Sequence, residues 1–296
     1  MMQDPVPEAL LQPGNLPSLD IFRCYQDSKY LSVKHSSYFQ VYDELLSKYK
    51  NRPITFVEIG VLNGGSLFMW RKFFGPDARI IGIDINPVAR RWAADGFEIY
   101  IGSQSDGAFW DNFFSSVGDV DVVLDDGGHT NEQQIITAQK CIPHIKDNGM
   151  LVVEDVHASY LPSFGNPSKY SFINYVKFLI DGVNSRFPLV SISANPLNKI
   201  VYSICIFESI VCFNIARGKC FVSSPTSNNA ASANVEDLRH QDSGIGKVGT
   251  AKKILATRLK FLEKFPPAIR ASKAVLTTMY YIYYRTRSRR LKKYFS

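Results

Sequence analysis

Between about residues 54 and 155, short apolar runs rich in β-branched residues alternate with longer segments whose apolar positions recur at helical spacing. Repeated βα units produce this pattern, because helices cover both faces of a parallel sheet and leave its strands apolar on both sides. The runs predict strands at ITFVEIG (54–60), ARIIGID (78–84), FEIYIG (97–102), VDVVLDD (120–126) and MLVVED (150–155). Between them, Ser66 is placed to cap a helix over LFMWRKFF. Thr130 with Gln133 has the spacing of a capping box ahead of a second helix, with the apolar stripe Ile135, Ile136, Cys141, Ile142 and Ile145, and Gly149 is expected to close the turn after it.

Beyond residue 155 the pattern loosens into an aromatic loop, VHASYLPSFGNPSKYSF, and then a helical YVKFLIDGVNSRF. Two further strands, IVYSICIF and SIVCFNIAR, meet at Glu208-Ser209 as at a hairpin. The expected fold is α/β: a Rossmann-like, doubly wound, mostly parallel sheet of seven strands with an antiparallel terminal strand, followed by a basic helical tail. The expected divisions are an N-terminal helical or lid segment (1–50) that includes His35, Tyr38 and Tyr42, a core domain (51–222), a small-residue polar linker (223–250) and a basic amphipathic tail (251–296).

Composition refines this picture mainly through the distribution of charge. Of 34 Lys and Arg residues, 13 lie after residue 250, with one acid, Glu263, among them, so the tail carries +12 and the preceding 250 residues −5 of the net +7. The basic total therefore gives no reason to expect the body to bind nucleic acid, and no specific nucleic-acid partner is expected. The five cysteines, Cys24, Cys141, Cys205, Cys212 and Cys220, form no CxxC pair and fit reduced thiols in a cytoplasmic protein. Near the N-terminus, MMQDPVPEALLQPGNLPSLD carries prolines and acids where a signal peptide would carry an apolar block, so export is not expected. In the tail, AVLTTMYYIYY (274–284) is shorter than the ~20 residues of a spanning helix, and tyrosines beside clustered Arg and Lys suit an anionic membrane surface. Peripheral attachment to the inner membrane face is expected. Packing of the tail on a second subunit of a homo-oligomer, or nonspecific RNA contact, are the competing expectations.

In an open parallel sheet, ligands bind beyond the carboxyl ends of the strands. The first strand runs into EIGVLNGGS, which holds Glu58, Gly60, Gly64, Gly65 and Ser66; glycines there let backbone approach a ligand at a helix start. Position 62 is Leu, so the loop is not GxGxxG, and a small adenosyl ligand is expected over a dinucleotide. Asp84 ends the second strand, where an acid can accept from ribose hydroxyls, and Gln104 in GSQSD follows the third, placed to face an adenine edge. Each of these alone reads as well as an ordinary turn or cap; an acid, a glycine loop, a second acid and a polar turn after successive strands do so less easily.

With EIGVLNGGSLFMW, IIGIDI, GSQSD, DVVLDDGGH and LVVEDVH in this order, residues 25 to 222 resemble the class I S-adenosylmethionine-dependent methyltransferases, most closely the macrocin and mycinamicin type of sugar O-methyltransferase, with cephalosporin-hydroxylase-like proteins as neighbours. Ser103 and Gly128 depart from the family pattern, which has Asp and Ser there. In such a topology the strands ending at Asp126 and at Glu154-Asp155 are adjacent, and carboxylates brought so close repel unless a positive group joins them. A divalent metal is expected, Mg²⁺ or another hard cation, because the ligands are all oxygen. The resemblance implies Asp126, Glu154 and Asp155 as metal ligands, His129 as the base that deprotonates a sugar hydroxyl, and Glu58, Gly60, Gly64, Ser66, Asp84, Gln104 and Asp125 around the cofactor. His157 and Tyr160, in the aromatic loop, are candidate contacts to a glycan or glycosylated acceptor. The alternatives are a hydroxylase-like iron enzyme, which the carboxylate-rich cluster disfavours, and a noncatalytic membrane-associated partner of the same fold.

Overall fold

A computed structural model describes residues 16–165, 168–188, 190, 195–233, 235, 275, 278, 281, 282, 285, 289 and 291–294. The chain divides into two compact units, residues 1–225 and 226–296. In the first unit, strands β1 (Thr55–Ile59), β2 (Arg79–Asp84), β3 (Glu98–Ile101), β4 (Val120–Asp125), β5 (Ile145–Val153), β6 (Val201–Phe207) and β7 (Ile210–Ile215) form one sheet in the order β3-β2-β1-β4-β5-β7-β6. β1 to β5 are parallel, and β7 runs antiparallel between β5 and the edge strand β6. The expected doubly wound sheet and its antiparallel strand are both present. Strand order reverses at β1, which pairs with β2 on one side and β4 on the other, so the ligand crevice of such sheets falls at the ends of these strands.

Alternation along the strands divides the core between two faces. Phe56, Val122, Leu124, Met150 and Val152 point to one side, under α1 (Asp20–Gln26), α2 (Tyr38–Leu46) and α3 (Gly65–Phe74). Val57, Ile59, Val123, Leu151 and Val153 point to the other, under α4 (Gly107–Val117), α5 (Asn131–Cys141) and α6 (Phe172–Asn184). Trp70 anchors the first face, its ring centroid 5.0 Å from that of Phe56 and 5.2 Å from that of Tyr42, which locks α2 and α3 together behind the β1 loop.

Several local expectations need correction. Ser66 does not cap α3: Gly64 does so at φ 78°, and Ser66 lies inside the helix with its hydroxyl donated to Glu58. The capping box of Thr130 and Gln133 is present, but the buried stripe of α5 is Gln134, Thr137, Ala138 and Cys141, while Ile142 and Ile145 follow the helix. Polar residues can face the sheet there because Gln134 donates to the Glu154 carbonyl (2.9 Å) and Thr137 meets the Gln104 amide (3.2 Å). β5 starts at Ile145, not 150; its register against β4 shifts between Ile145 and Met150, where Asn148 has φ 69°, and Gly149 lies within the strand, where a Cβ would stand 2.3 Å from the Asp121 carbonyl oxygen. The Glu208-Ser209 junction links β6 to β7 as expected, with Ser209 at φ 59°.

All five cysteines are free. Residues 236–250 of the expected linker and most of the basic tail lie outside the described residues. Among the described residues no helix is long and apolar enough to cross a membrane.

Candidate active site

A cavity of about 430 Å³ opens at the carboxyl ends of β1 to β4, bordered by Gly60, Asp84, Gln104, Asp126, His129 and Asp155 among others. The loop after β1 requires glycine. At Gly60 (φ 92°) an added Cβ would lie 2.0 Å from the Asp126 carbonyl oxygen, and at Gly64 it would lie 2.4 Å from the Trp92 ring. Asp84 holds this loop in shape: Oδ2 accepts from the Val61 and Leu62 N–H groups, both at 2.9 Å, and Oδ1 accepts from Asn86 N–H at 2.8 Å. A carboxylate oxygen has two lone-pair sites, so Asp84 can still accept from hydroxyls in the cavity.

Other expected cofactor residues stand behind this wall. Glu58 is fully buried and accepts from Ser66 (2.8 Å) and from the Trp70 indole (3.0 Å). Glu58, Gly64, Ser66 and Asp125 do not border the cavity. Gln104 does, but its amide donates to Asp125 (3.0 Å) while its oxygen accepts from Gly128 N–H (2.9 Å), so it braces the loop after β4. Burial pushes the Glu58 carboxyl up to about 7, opposed first by the Lys34 charge and then by its hydrogen-bond donors, and that of Asp125 to about 6, opposed by its hydrogen-bond donors.

The carboxylate cluster sits beside the cavity. Asp125 of β4 pairs in register with Val153 of β5, which brings Asp126 and Glu154 out side by side. Between them lies a residue that no local pattern singles out: Lys34 Nζ is 2.6 Å from Asp126 Oδ2 and 2.9 Å from Glu154 Oε2, with its side chain only 2% exposed. Burial would lower the Lys34 pKa, but Glu154, Tyr42 and Asp126 outweigh it and hold the ammonium well above its usual value. Burial pushes the Glu154 carboxyl upward, opposed by Lys34. Tyr42, expected only as part of a lid, donates to the other Glu154 oxygen at 2.5 Å.

Asp155 turns the opposite way, since its backbone is left-handed at φ 54°. It accepts from the Tyr38 hydroxyl, lies 3.2 Å from His129 Nε2, and has His35 and His157 nitrogens at 3.9 Å each. His129 is itself left-handed (φ 58°); its Nε2 faces Asp155 and, at 3.9 Å, Asp126, while its buried Nδ1 has no hydrogen-bond partner among the described residues. His157 Nδ1 meets Ser209 Oγ at 2.6 Å, and Tyr160 is 59% exposed, outside the cavity lining. Asp126, His129 and Asp155 can offer donor atoms to one ion, as can His35, Asp155 and His157. The oxygen donors of Asp126, Glu154 and Asp155 suit a hard divalent cation, and the Lys34 ammonium marks a position between two of them where positive charge is already held. Asp126 and Asp155 fall together in one such group with His129, whereas Glu154, held by Lys34 and Tyr42, is in neither group among the described residues.

Comparison with known proteins agrees with this geometry. Residues 57–156 match the family model described as a methyltransferase domain. This segment is a methyltransferase domain. The chain is similar to mycinamicin VI 2''-O-methyltransferase of Micromonospora griseorubida, 33% identical over 159 residues, covering 49% of this chain and 39% of the relative. It is similar to demethylmacrocin O-methyltransferase of Streptomyces fradiae, 30% identical over 174 residues, covering 54% and 44%. Among solved structures, a methyltransferase of the mycinamycin biosynthetic pathway in complex with Mg, SAH and mycinamycin VI superposes with a TM-score of 0.58 at 26% identity, covering 67% of this chain and 53% of that one. The methyltransferase domain thus has the Rossmann-like fold of that enzyme, while the chain spans less than half the length of the curated relatives it matches.

Proposed function

We propose that this chain is an S-adenosylmethionine-dependent O-methyltransferase that acts on a sugar hydroxyl of a glycan or glycosylated metabolite, with a hard divalent cation such as Mg²⁺ at its carboxylate cluster. The observation that carries the proposal is that one crevice joins a cofactor-sized cavity, behind a glycine loop and Asp84, to Asp126, His129 and Asp155 on the same wall. The curated relatives named above are O-methyltransferases, and the similar solved enzyme was captured with Mg, SAH and mycinamycin VI, which supports the same assignment here.

In this proposal Gly60 admits the cofactor close to the backbone, and Asp84 accepts from its ribose hydroxyls. Gln104 and Asp125 hold the loop at the adenine end, while Glu58, Gly64 and Ser66 fix the start of α3 from behind. Asp126, Glu154 and Asp155 would hold the cation, which would stabilise the acceptor alkoxide and lower its pKa. His129 takes the acceptor proton at Nε2, the nitrogen that faces the carboxylates, once Asp155 is engaged elsewhere. The acceptor oxygen bonds to the methyl carbon as the carbon–sulfur bond breaks, and the sulfonium leaves as a neutral thioether. His157 and Tyr160, in the loop after β5, are assigned to the acceptor.

Calorimetric titration with S-adenosylmethionine, with and without Mg²⁺, on wild type and Asp126→Ala, tests the proposal. Cofactor binding retained in the variant beside Mg²⁺ binding lost is the expected result; no cofactor binding to either protein would remove the enzymatic assignment. Cofactor binding without turnover on any vicinal-diol sugar would point to the noncatalytic alternative. The +12 tail is assigned to an anionic membrane surface. Equal sedimentation with anionic liposomes of the full chain and of a version ending at residue 222 would exclude that contact.

A further inference from the structure

We infer that Lys34 is a tethered competitor for the cation position: its ammonium and a divalent ion are alternative occupants of the space between Asp126 and Glu154. This rests on the cation assigned above and adds what controls its access. The first argument is positional. The Lys34 ammonium donates to one oxygen of each carboxylate, at 2.6 and 2.9 Å, and is shielded from water. A hard divalent ion bound to the same oxygens at about 2.0–2.6 Å would lie almost on top of that nitrogen, where like charges repel. The two cannot share the site.

The second argument is mechanical. Lys34 lies on the segment between α1 and α2, in which residues 31–35 form neither helix nor strand. The segment is anchored on both sides of the lysine. On one, Tyr30 packs against Trp92 and Phe68, at centroid distances of 4.6 and 5.2 Å, and Ser28 donates to the Gly65 carbonyl at 2.7 Å. On the other, Tyr38 donates to Asp155 and meets the Ser209 hydroxyl at 2.9 Å. Between the anchors, Leu31 and Val33 are 67% and 79% exposed, so little apolar burial opposes a local lift. Val33 also borders the cofactor cavity, and Val33, Lys34 and His35 line an adjoining space of about 160 Å³. Withdrawal of Lys34 therefore opens the cation position and the edge of the cofactor crevice together.

The third argument is electrostatic. Without an ion, Asp126 and the fully buried Glu154 would be two carboxylates facing one another, an arrangement that strongly destabilises a fold unless compensated. Lys34 supplies the compensation, so the metal-free protein stays folded, and the ion must displace a resident charge to enter.

Full-length wild type, Lys34→Met and Lys34→Met/Asp126→Asn are titrated calorimetrically with Mn²⁺, and their melting temperatures are followed with and without it. If the ammonium is withdrawn in about one molecule in ten, the wild-type Kd is raised about tenfold, so Lys34→Met should bind Mn²⁺ at least about tenfold more tightly. Its melting temperature should fall without metal and recover with it, and the double variant should lose the recovery. Trypsin cleavage after Lys34 in the wild-type chain, read by mass, should accelerate at saturating Mn²⁺; if Lys34→Met does not fold, this measurement decides alone. Equal Mn²⁺ affinity in wild type and Lys34→Met, or cleavage indifferent to bound Mn²⁺, overturns the inference and leaves the cation assignment standing. No Mn²⁺ binding by either protein overturns both.

Discussion

Tyr42 and Glu154 meet through one hydrogen bond, phenol oxygen to Glu154 Oε1 at 2.5 Å, between two side chains that are both fully buried. The bond joins α2 to the residue just beyond β5 and fixes the direction in which the Glu154 carboxylate offers its second oxygen to Lys34. Tyr42→Phe removes the donor while keeping the ring against Trp70, so the buried oxygen is left unsatisfied. The expected loss of stability is about 1–3 kcal/mol by urea unfolding, together with weaker Mn²⁺ binding. Wild-type stability in the variant would mean that water or Lys34 replaces the phenol.

Glu58 makes stability depend on pH. Burial raises its carboxyl from 4.5 to about 7 in the folded chain, so between these values the folded state keeps a proton that the unfolded state has released. Its contribution to stability is therefore fully present below about 4.5, declines as pH rises and is gone above about 7. Glu58→Gln deletes this titration and can still pair with Ser66 and Trp70. The stability difference, variant minus wild type, should rise by on the order of 2–3 kcal/mol from pH 4.5 to pH 8 and level off above that. Denaturant unfolding at four or five pH values measures it, and a flat difference would contradict the assignment.

Gly60→Ala places a methyl group 2.0 Å from the Asp126 carbonyl oxygen at a left-handed backbone position. Either the β1 loop or the β4 loop must move, and both border the cavity. A cost of roughly 1–3 kcal/mol in stability is expected, with S-adenosylmethionine affinity reduced at least about tenfold. Gly96→Ala is the control, since that glycine also has positive φ (85°) but, among the described residues, has nothing within 4 Å of its added Cβ; its loss should be confined to backbone strain, with cofactor affinity unchanged.

His129→Gln separates chemistry from binding. The ring lies on the cavity wall with Nε2 toward Asp155, and the Glu58, Asp84 and Gln104 contacts do not depend on it. Turnover on a competent acceptor should fall by about 10²–10⁴, with cofactor affinity changed by less than about threefold. Unaltered turnover would transfer the proton-accepting role to another group, for which His35 and His157 stand on the far side of Asp155.

Much of this arrangement was legible from local pattern. The five parallel strands, the capping box at Thr130 and the paired acids after β4 and β5 follow from periodicity and turn chemistry, which act over a few residues. The strand start at Ile145 and the polar stripe of α5 escaped that reading, because Gln134 and Thr137 face the sheet only by virtue of partners in other elements. The same holds for Glu58: nothing in EIGVLNGGS says that its carboxyl turns inward to Trp70 rather than outward to the cavity.

The repulsion among Asp126, Glu154 and Asp155 was itself deducible, and so was the need for a positive partner. The identity of that partner in this structure was not. Lys34 lies 92 residues before Asp126 and 120 before Glu154, in a segment with no periodicity to place it. Sequence alone determined the sheet, the crevice and the types of chemical groups around it, because each depends on neighbours along the chain. Only the tertiary structure decided which carboxylates face inward, which loop glycines touch backbone and which cation stands between Asp126 and Glu154, because those depend on distances across elements that no local pattern encodes.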